Sequence, residues 1–288
     1  MNIRTLPFLK AHGAGNDFVV LDEEDGQIPP ELTHWSRVLC CRRTGIGADG
    51  VLVIRRSAGV IAMECWNSDG SRAEACGNGL RVIARVLYLR EVVSTIHTDA
   101  GPVAVESTQT ESGDFIAKTI LGPITIDEEV NLDLHGEIYC GTPANVGNPH
   151  LVFALADFNG EDPVRQLGPS LEFSVPGRVN VGFYSVESKD LVHLRVWERG
   201  CGETLACGTG AAAAVRVLQA QGVIGPKVEV RMPGGALQIQ SVEKTPELLE
   251  ISGPARINFS GMLHIDPDKE GPTEFDLQFE GCANSIKS

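Results

Sequence analysis

"AEACGNGLRV" (73–82) places one thiol directly before a Gly-Asn-Gly turn that opens an apolar stretch, and "LACGTGAAAA" (205–214) does so again. The two copies belong to a longer internal repeat. "MECWNSDGSRAEACGNG" (63–79) aligns with "LRVWERGCGETLACGTG" (194–210), so that Trp66 falls on Trp197, Asn67 on Glu198 and Cys76 on Cys207. Upstream, "GAGNDFVVLD" (13–22) aligns with "NVGNPHLVFA" (145–154), pairing Gly15-Asn16 with Gly147-Asn148. The spacing between the copies is nearly constant, which chance coincidence of glycines does not produce.

Around the repeat, short β-like runs alternate with glycine-rich turns: "FVVLD" (18–22), "GVLVI" (50–54), "AMECW" (62–66), "PVAVES" (102–107), "HLVFAL" (150–155), "LVHLRVWE" (191–198), "KVEVRM" (227–232), "LQIQSV" (237–242) and "LLEISG" (248–253). Helices are expected at 77–90 and 208–221, with Gly222 ending the second as a C′ residue. Many short strands and one long helix per half predict an α+β fold of two pseudo-symmetric domains, each a mixed or antiparallel sheet wrapped around a central helix. The expected boundaries are 1–127 for the first half, with 255–263 returning to it, 128–254 for the second, and 264–288 as an acidic extension that adds a strand or stays loosely held.

Composition narrows the function. The 288 residues are 42% hydrophobic and 22% charged, with 24 Lys and Arg against 38 Asp and Glu, a net charge of −14. That balance argues against nucleic acid or an anionic membrane as partner. No run is apolar enough for a membrane span, and the first residues lack a signal-peptide core, so a cytoplasmic protein is expected. Eight cysteines without a C-x-x-C read as thiols rather than a disulfide frame or zinc site. Most are expected to pack as small hydrophobes.

A Cys-Gly-x-Gly turn entering a helix has three consequences. Its glycines let backbone approach a ligand, its N–H groups favour an anion, and the same field favours thiolate. Two such turns would grip one carboxylate and present a thiol to each face of the adjacent carbon. One thiolate then removes the α-proton and the other thiol returns a proton to the opposite face, inverting the centre. Neither cofactor nor metal is required. "GIGADG" (45–50) has the dinucleotide spacing, but a strand-like run rather than a helix follows it. A Cys207–His150 peptidase pair would leave Cys76 unexplained.

"KAHGAGNDFVVLD", "RRTGIGADGVL", "NSDGSRAEACGNGLR", "VGNPHLV", "RVNV" and "VWERGCGETLACGTGAAAA", in this order, closely resemble the diaminopimelate epimerase family over roughly residues 6–262. The resemblance implies interconversion of LL- and meso-diaminopimelate, in lysine and peptidoglycan precursor synthesis, without pyridoxal phosphate or metal, by a homodimer. It assigns Cys76 and Cys207 as acid/base thiols and Gly77, Asn78, Gly208 and Thr209 as the grip on the reacting end. Asn16, Asn67, Asn148, Asn180, Glu198 and Arg199 become further substrate contacts, and His150 and Glu198 tune or orient the thiols. Two departures stand out. Gly50 occupies a position where many members carry a substrate-contacting Gln, and Cys201 is an extra thiol in "WERGCGET", read as a packing residue. The alternatives are a proline or hydroxyproline racemase and a non-catalytic amino-acid-binding protein on the same scaffold.

Overall fold

The computed structural model describes residues 4–74, 76–90, 94–134, 136–155, 158, 162–265 and 272–278. Two compact units emerge, one from the residues up to Gly13, Asp17–Ala117 and the chain from Ala255, the other from Ala14–Asn16 and Lys118–Pro254.

The first unit contains β1 (Arg4–Gly13), β2 (Asn16–Asp22), α1 (Leu32–Cys40), β3 (Gly50–Ser57), β4 (Val60–Asn67), β5 (Arg72–Ala73), α2 (Gly77–Tyr88), β6 (Thr95–Thr98), β7 (Gly101–Gln109) and the start of β8 (Phe115–Leu121). The second contains β9 (Thr125–Ile126), β10 (Val130–Leu134), β11 (Glu137–Asn145), β12 (Pro149–Ala154), α3 (Pro163–Glu172), β13 (Asn180–Ser188), β14 (Leu191–Glu198), β15 (Gly202–Thr204), α4 (Gly208–Ala220), β16 (Lys227–Met232), β17 (Gly235–Val242) and β18 (Thr245–Pro254). The chain then returns as β19 (Arg256–Ile265), antiparallel to β1, and β20 (Pro272–Gln278) pairs with β19. Residues 264–288 therefore begin by continuing a strand and adding another; Cys282 lies outside the described residues.

Strand pairing repeats step for step. β2 and β3 are parallel, β3 and β4 antiparallel, β4 and β5 antiparallel, β4 and β6 parallel, β6 and β7 antiparallel. In the second unit β12 and β13 are parallel, β13 and β14 antiparallel, β14 and β15 antiparallel, β14 and β16 parallel, β16 and β17 antiparallel. The two parallel pairs in each half need crossovers, supplied by α1 and α2 in the first and by α3 and α4 in the second; the outer helices α1 and α3 serve the first pair of each half.

Those two helices were not expected from sequence, and the strands explain why they exist. In β2 and β3, Val20, Leu52 and Ile54 pack with α2 while Val19, Leu21, Val51 and Val53 pack with α1. A strand buried on both faces reads as an unbroken apolar run, which "FVVL" and "VLVI" are. In "PVRQLGPSLE" the internal Gly168 and Pro169 hide α3. Gly168 is there because a Cβ would lie 2.7 Å from the Trp197 ring, so α3 packs directly on that tryptophan.

The central helices are buried nearly all round. In α2 every residue from Asn78 to Leu87 except Arg85 is buried, and truncating Leu80 or Ile83 to alanine is worth ~2–5 kcal/mol. In α4 the buried alanines 211–214 let the helix lie close on its sheet. Its end is a Schellman motif: Val223 N–H bonds Leu218 O at 2.9 Å and Gly222 N–H bonds Gln219 O at 3.0 Å, with Gly222 at φ +72°.

The expected break at 127/128 falls instead at 117/118. The reason is β8, whose Ala117 belongs to the first core while Leu121 packs against the second.

Candidate active site

Cys76 and Cys207 are both helix N-caps. Each has an extended backbone (φ −145°, ψ 109° and φ −131°, ψ 111°), and each sulfur accepts the N–H three residues on, from Gly79 and Gly210, at 3.4 Å. Sulfur thus takes the place that a Ser or Asp oxygen usually fills, at the positive end of the helix, where thiolate is favoured. Cys76 is half-buried and Cys207 buried; no disulfide joins the described cysteines.

The glycines of the two turns have separate jobs. A Cβ on Gly77 would meet nothing within 4 Å, so packing does not demand glycine there. A Cβ on Gly79 would lie 2.9 Å from Leu52 Cδ2, and one on Gly210 3.0 Å from Val196 Cγ2. The second glycine of each turn therefore lets the helix press on its sheet, whereas Gly77 is open to a ligand role.

Strand alternation and register place three of the expected residues in one row in the second unit. Val152 on β12 and Val192, Leu194 and Val196 on β14 belong to the α4 core, while Val181 and Phe183 on β13 belong to the α3 core. His150, Asn180 and Glu198 consequently share the α4 face. His150 is opposite Asn180, and one step from the Val181–Trp197 pair, Asn180 faces Glu198. Asn180 Nδ2 donates to Pro149 O at 2.9 Å, and its Oδ1 accepts Arg199 N–H at 3.0 Å. Thr204 Oγ1 donates to Glu198 Oε1.

His150 is 1% exposed. Burial, reinforced by the Arg199 charge, pushes its pKa down to about 3. Its ring is neutral at physiological pH. Nε2 lies 3.0 Å from Asn148 Oδ1, which places the proton there, and Nδ1 has no hydrogen-bond partner among the described residues. His150 is therefore neutral rather than a titrating acid at physiological pH. Arg199 is exposed and reaches Gly177 O at 3.3 Å. Thr209 Oγ1 is 3.4 Å from Cys207 Sγ.

The corresponding row in the first unit is Phe18, Gly50 and Asn67, joined by the same register. Gly50 is sterically fixed, because a Cβ would stand 2.6 Å from Trp66 O. A glutamine, which the family resemblance leads one to expect here, has no room on this backbone. Asn67 Nδ2 donates to Ser71 Oγ at 2.9 Å. Asn78 is buried and accepts Arg81 Nη2 at 2.5 Å. Asn16 is buried at the start of β2, after a turn with positive φ at Ala14 (52°) and Gly15 (84°). A Cβ on Gly15 would meet Gly234 Cα at 2.8 Å, and Gly234 N–H bonds Leu205 O at 2.8 Å. That turn and the approach to Cys207 are thus built together.

Two readings need correction. Cys201 is exposed, so it does not serve as a packing residue. Of the other described cysteines only Cys40 and Cys65 are buried; Cys41 and Cys140 are exposed. Cys41 has its pKa lowered to about 7 by hydrogen bonds from Thr44 and the backbone, whereas burial raises Cys40 to about 12.

Supporting residues went unseen in the sequence. Glu172, 5% exposed, accepts Trp197 Nε1 at 2.9 Å and Gly200 N–H at 3.0 Å, fixing the turn that carries Arg199. In the first unit, Lys10 and Arg42 bind Asp17, and Asp17 and Asp49 accept each other's backbone N–H at 3.1 Å. Burial works against the Asp17 carboxylate, but Arg42 and Lys10 hold its pKa at about 2. Burial and the Asp17 charge raise that of Asp49. This cluster ties the 42–49 loop to β2. Among the described residues no three His, Cys, Asp or Glu side chains gather as a metal site would need, and no helix is long and apolar enough to cross a membrane.

Comparison with known proteins follows the same two halves. The family model described as diaminopimelate epimerase matches residues 8–123 and 142–257. A relative named diaminopimelate epimerase from Xylella fastidiosa (strain M23) is 41% identical over 280 residues, covering 90% of this chain and 96% of the relative. One from Moorella thermoacetica is 36% identical over 281 residues, covering 90% and 99%. A relative named O-ureido-serine racemase from Streptomyces lavendulae is 40% identical over 285 residues, covering 90% and 96%. Among solved structures, a hydroxyproline epimerase from Agrobacterium vitis superposes with TM-score 0.70 at 14% identity, covering 93% of this chain and 94% of that one. A PhzF-family phenazine biosynthesis protein of Bacillus anthracis gives 0.70 at 16%, covering 91% and 100%. These two likenesses establish the fold.

Proposed function

Because the chain belongs to the diaminopimelate epimerase family, we propose that it interconverts LL- and meso-2,6-diaminopimelate by proton transfer between two thiols, in lysine and peptidoglycan precursor synthesis. The observation that carries this reading is the duplicated Cys N-cap. An inversion needs a base on one face of the α-carbon and an acid on the other. Two copies of one helix-capping thiol meet that need without further chemistry.

The thiolate of one half takes the α-proton and the thiol of the other delivers its proton to the opposite face. Helix N–H groups at Gly77–Asn78 and Gly208–Thr209 take up the negative charge that grows on the carboxylate as the carbon ionises. The distal end of diaminopimelate is itself an amino acid. Arg199 suits its carboxylate through a two-pronged contact, and Asn16, Asn67, Asn148, Asn180 and Glu198 suit its ammonium and remaining oxygens. His150, neutral, orients Asn148. We assign the protein to the cytoplasm as a homodimer, and require neither cofactor nor metal.

The 40% identity to an O-ureido-serine racemase favours a second reading, in which the same thiols act on a smaller amino acid with a neutral far end. Incubation in D2O with diaminopimelate, O-ureido-serine, proline and hydroxyproline separates them. Exchange at the α-carbon of diaminopimelate alone is expected. Exchange confined to another amino acid overturns the substrate assignment, and binding without exchange overturns catalysis.

A further inference from the structure

The two thiols are not electrostatic equals. Arg81, on α2 five residues after Cys76, is the largest side chain among those fully buried. No carboxylate pairs with it among the described residues. Its Nη1 donates to Gly77 O at 3.2 Å and its Nη2 to Asn78 Oδ1 at 2.5 Å, and its Nε has no hydrogen-bond partner among the described residues. Both of its hydrogen bonds end on the two residues that follow Cys76. Gly13 of β1 closes over this arrangement, since a Cβ there would be 2.9 Å from Asn78 O and 3.5 Å from Arg81 Nη2.

A buried guanidinium without a counter-anion is costly. Burial lowers the pKa of Arg81 to about 10, and the interaction with Cys76 works against that fall. It remains a cation at neutral pH. Facing α2 from its neighbours are the Cys65 thiol on β4 and the buried Asp22 carboxylate on β2, which is paired with Arg90 at 3.0 Å and Arg56 at 3.2 Å beyond the far end of the helix; Arg85 on α2 lies over the Phe115 ring. The row beside the helix start, Phe18, Gly50 and Asn67, bears no charge.

In the second half the same repeat position is Ala212, fully buried in an apolar core. Cys207 has a hydroxyl, Thr209, as its close neighbour. The titratable groups on the α4 face are the neutral His150, Tyr184, whose pKa is raised by burial and by Glu129, and Glu198, whose charge opposes a second anion; α4 itself carries Arg216, two turns beyond Cys207, with a buried Nε that has no hydrogen-bond partner among the described residues.

We propose that Arg81 is a positioning residue that holds Cys76 as thiolate in the substrate-free protein, while Cys207 rests as the protonated thiol. The duplicated halves then start each turnover in opposite protonation states, as one base and one acid. The idea rests on the two thiols being the reacting pair. Arg81 acts through Cys76 and through the Gly77–Asn78 backbone, not on substrate.

Site-resolved alkylation tests it. The full-length protein without substrate is treated with iodoacetamide across pH 5–10, and the rates at Cys76 and Cys207 are read by peptide mass spectrometry. Cys76 should react with its midpoint at the lower pH. Arg81→Met should slow Cys76 alkylation at pH 7 by about tenfold, the effect of a single-unit rise in thiol pKa, with Cys207 unchanged and Arg81→Lys recovering much of the rate. Equal midpoints in the wild type, or Cys207 titrating first, overturn the proposal even if the Met variant does not fold. So does a folded Arg81→Met protein with an unshifted Cys76. No substrate enters the measurement, so failure of diaminopimelate exchange and failure of this inference remain separate results.

Discussion

The first and second halves share five successive strand pairings around the central helix, yet differ where that helix begins. Beside α2 the row reads Phe18, Gly50, Asn67 and the helix carries Arg81. Beside α4 it reads His150, Asn180, Glu198 and the helix carries Ala212. Duplication supplied a second thiol, and divergence of a few buried positions supplied the difference between them. On the proposed mechanism, the backbone repeat would supply the two thiols and the side-chain asymmetry would assign them unequal parts.

The comparison is most directly broken at the thiols. Replacing Cys76 or Cys207 with alanine should lower the rate of epimerisation by about 10²–10⁴-fold, the usual worth of a general acid or base. A steady-state assay in which either variant stays within tenfold of wild type would show that one half suffices. Next in size is Gly50→Gln, which puts into the first half the side chain that the family resemblance leads one to expect. With a Cβ 2.6 Å from Trp66 O, it should cost ~1–3 kcal/mol in urea unfolding. Asn180→Gly, the mirror change, should be limited to the loss of two hydrogen bonds at ~0.5–1.5 kcal/mol each. If the glutamine costs nothing, the first row has more freedom than its contacts indicate.

A third test concerns pH and separates the halves by their ionisable groups. His150 has its folded pKa depressed from 6.5 to about 3. The unfolded chain therefore binds the proton that the native state refuses. The contribution is complete above pH 6.5 and is lost as pH falls from there toward 3, at no more than ~1.4 kcal/mol per pH unit. Asp17, held at about 2, works in the same direction only below its unfolded value of 3.8. Urea midpoints between pH 7 and 5 should thus fall in the wild type and fall less steeply in His150→Gln, the remaining slope coming from His12, whose pKa burial also lowers, while Asp17→Asn leaves that interval unchanged. The smallest effect belongs to Cys201→Ser. This exposed thiol should shift stability by less than ~0.5 kcal/mol, and a larger change would restore its reading as a packing residue.

Much of this architecture was legible because it was written twice. The Gly-Asn and Cys-Gly-x-Gly spacings located both central helices, and Gly222 marked the end of α4. The outer helices α1 and α3 were not legible as helices, since Gly168 and Pro169 disguise α3 and its requirement comes from the Trp197 ring. What did announce them was the unbroken apolar run of β2 and β3, which demands cover on both faces. The candidate site could be named residue by residue, but its electrostatics could not be read. Nothing in "GNGLR" says that Arg81 is wholly buried without a carboxylate. Its environment is set by β1, β3 and β4 arriving from elsewhere in the chain. Likewise the neutral state of His150 follows from burial that only the assembled sheet creates.

The central claim, one thiol from each half acting on opposite faces, is tested most directly by following deuterium at early conversion of LL-diaminopimelate in D2O. The account predicts meso product carrying one solvent deuterium at the inverted carbon while the remaining LL substrate is still unlabelled. Product free of solvent label, or substrate and product labelled equally from the start, would contradict it.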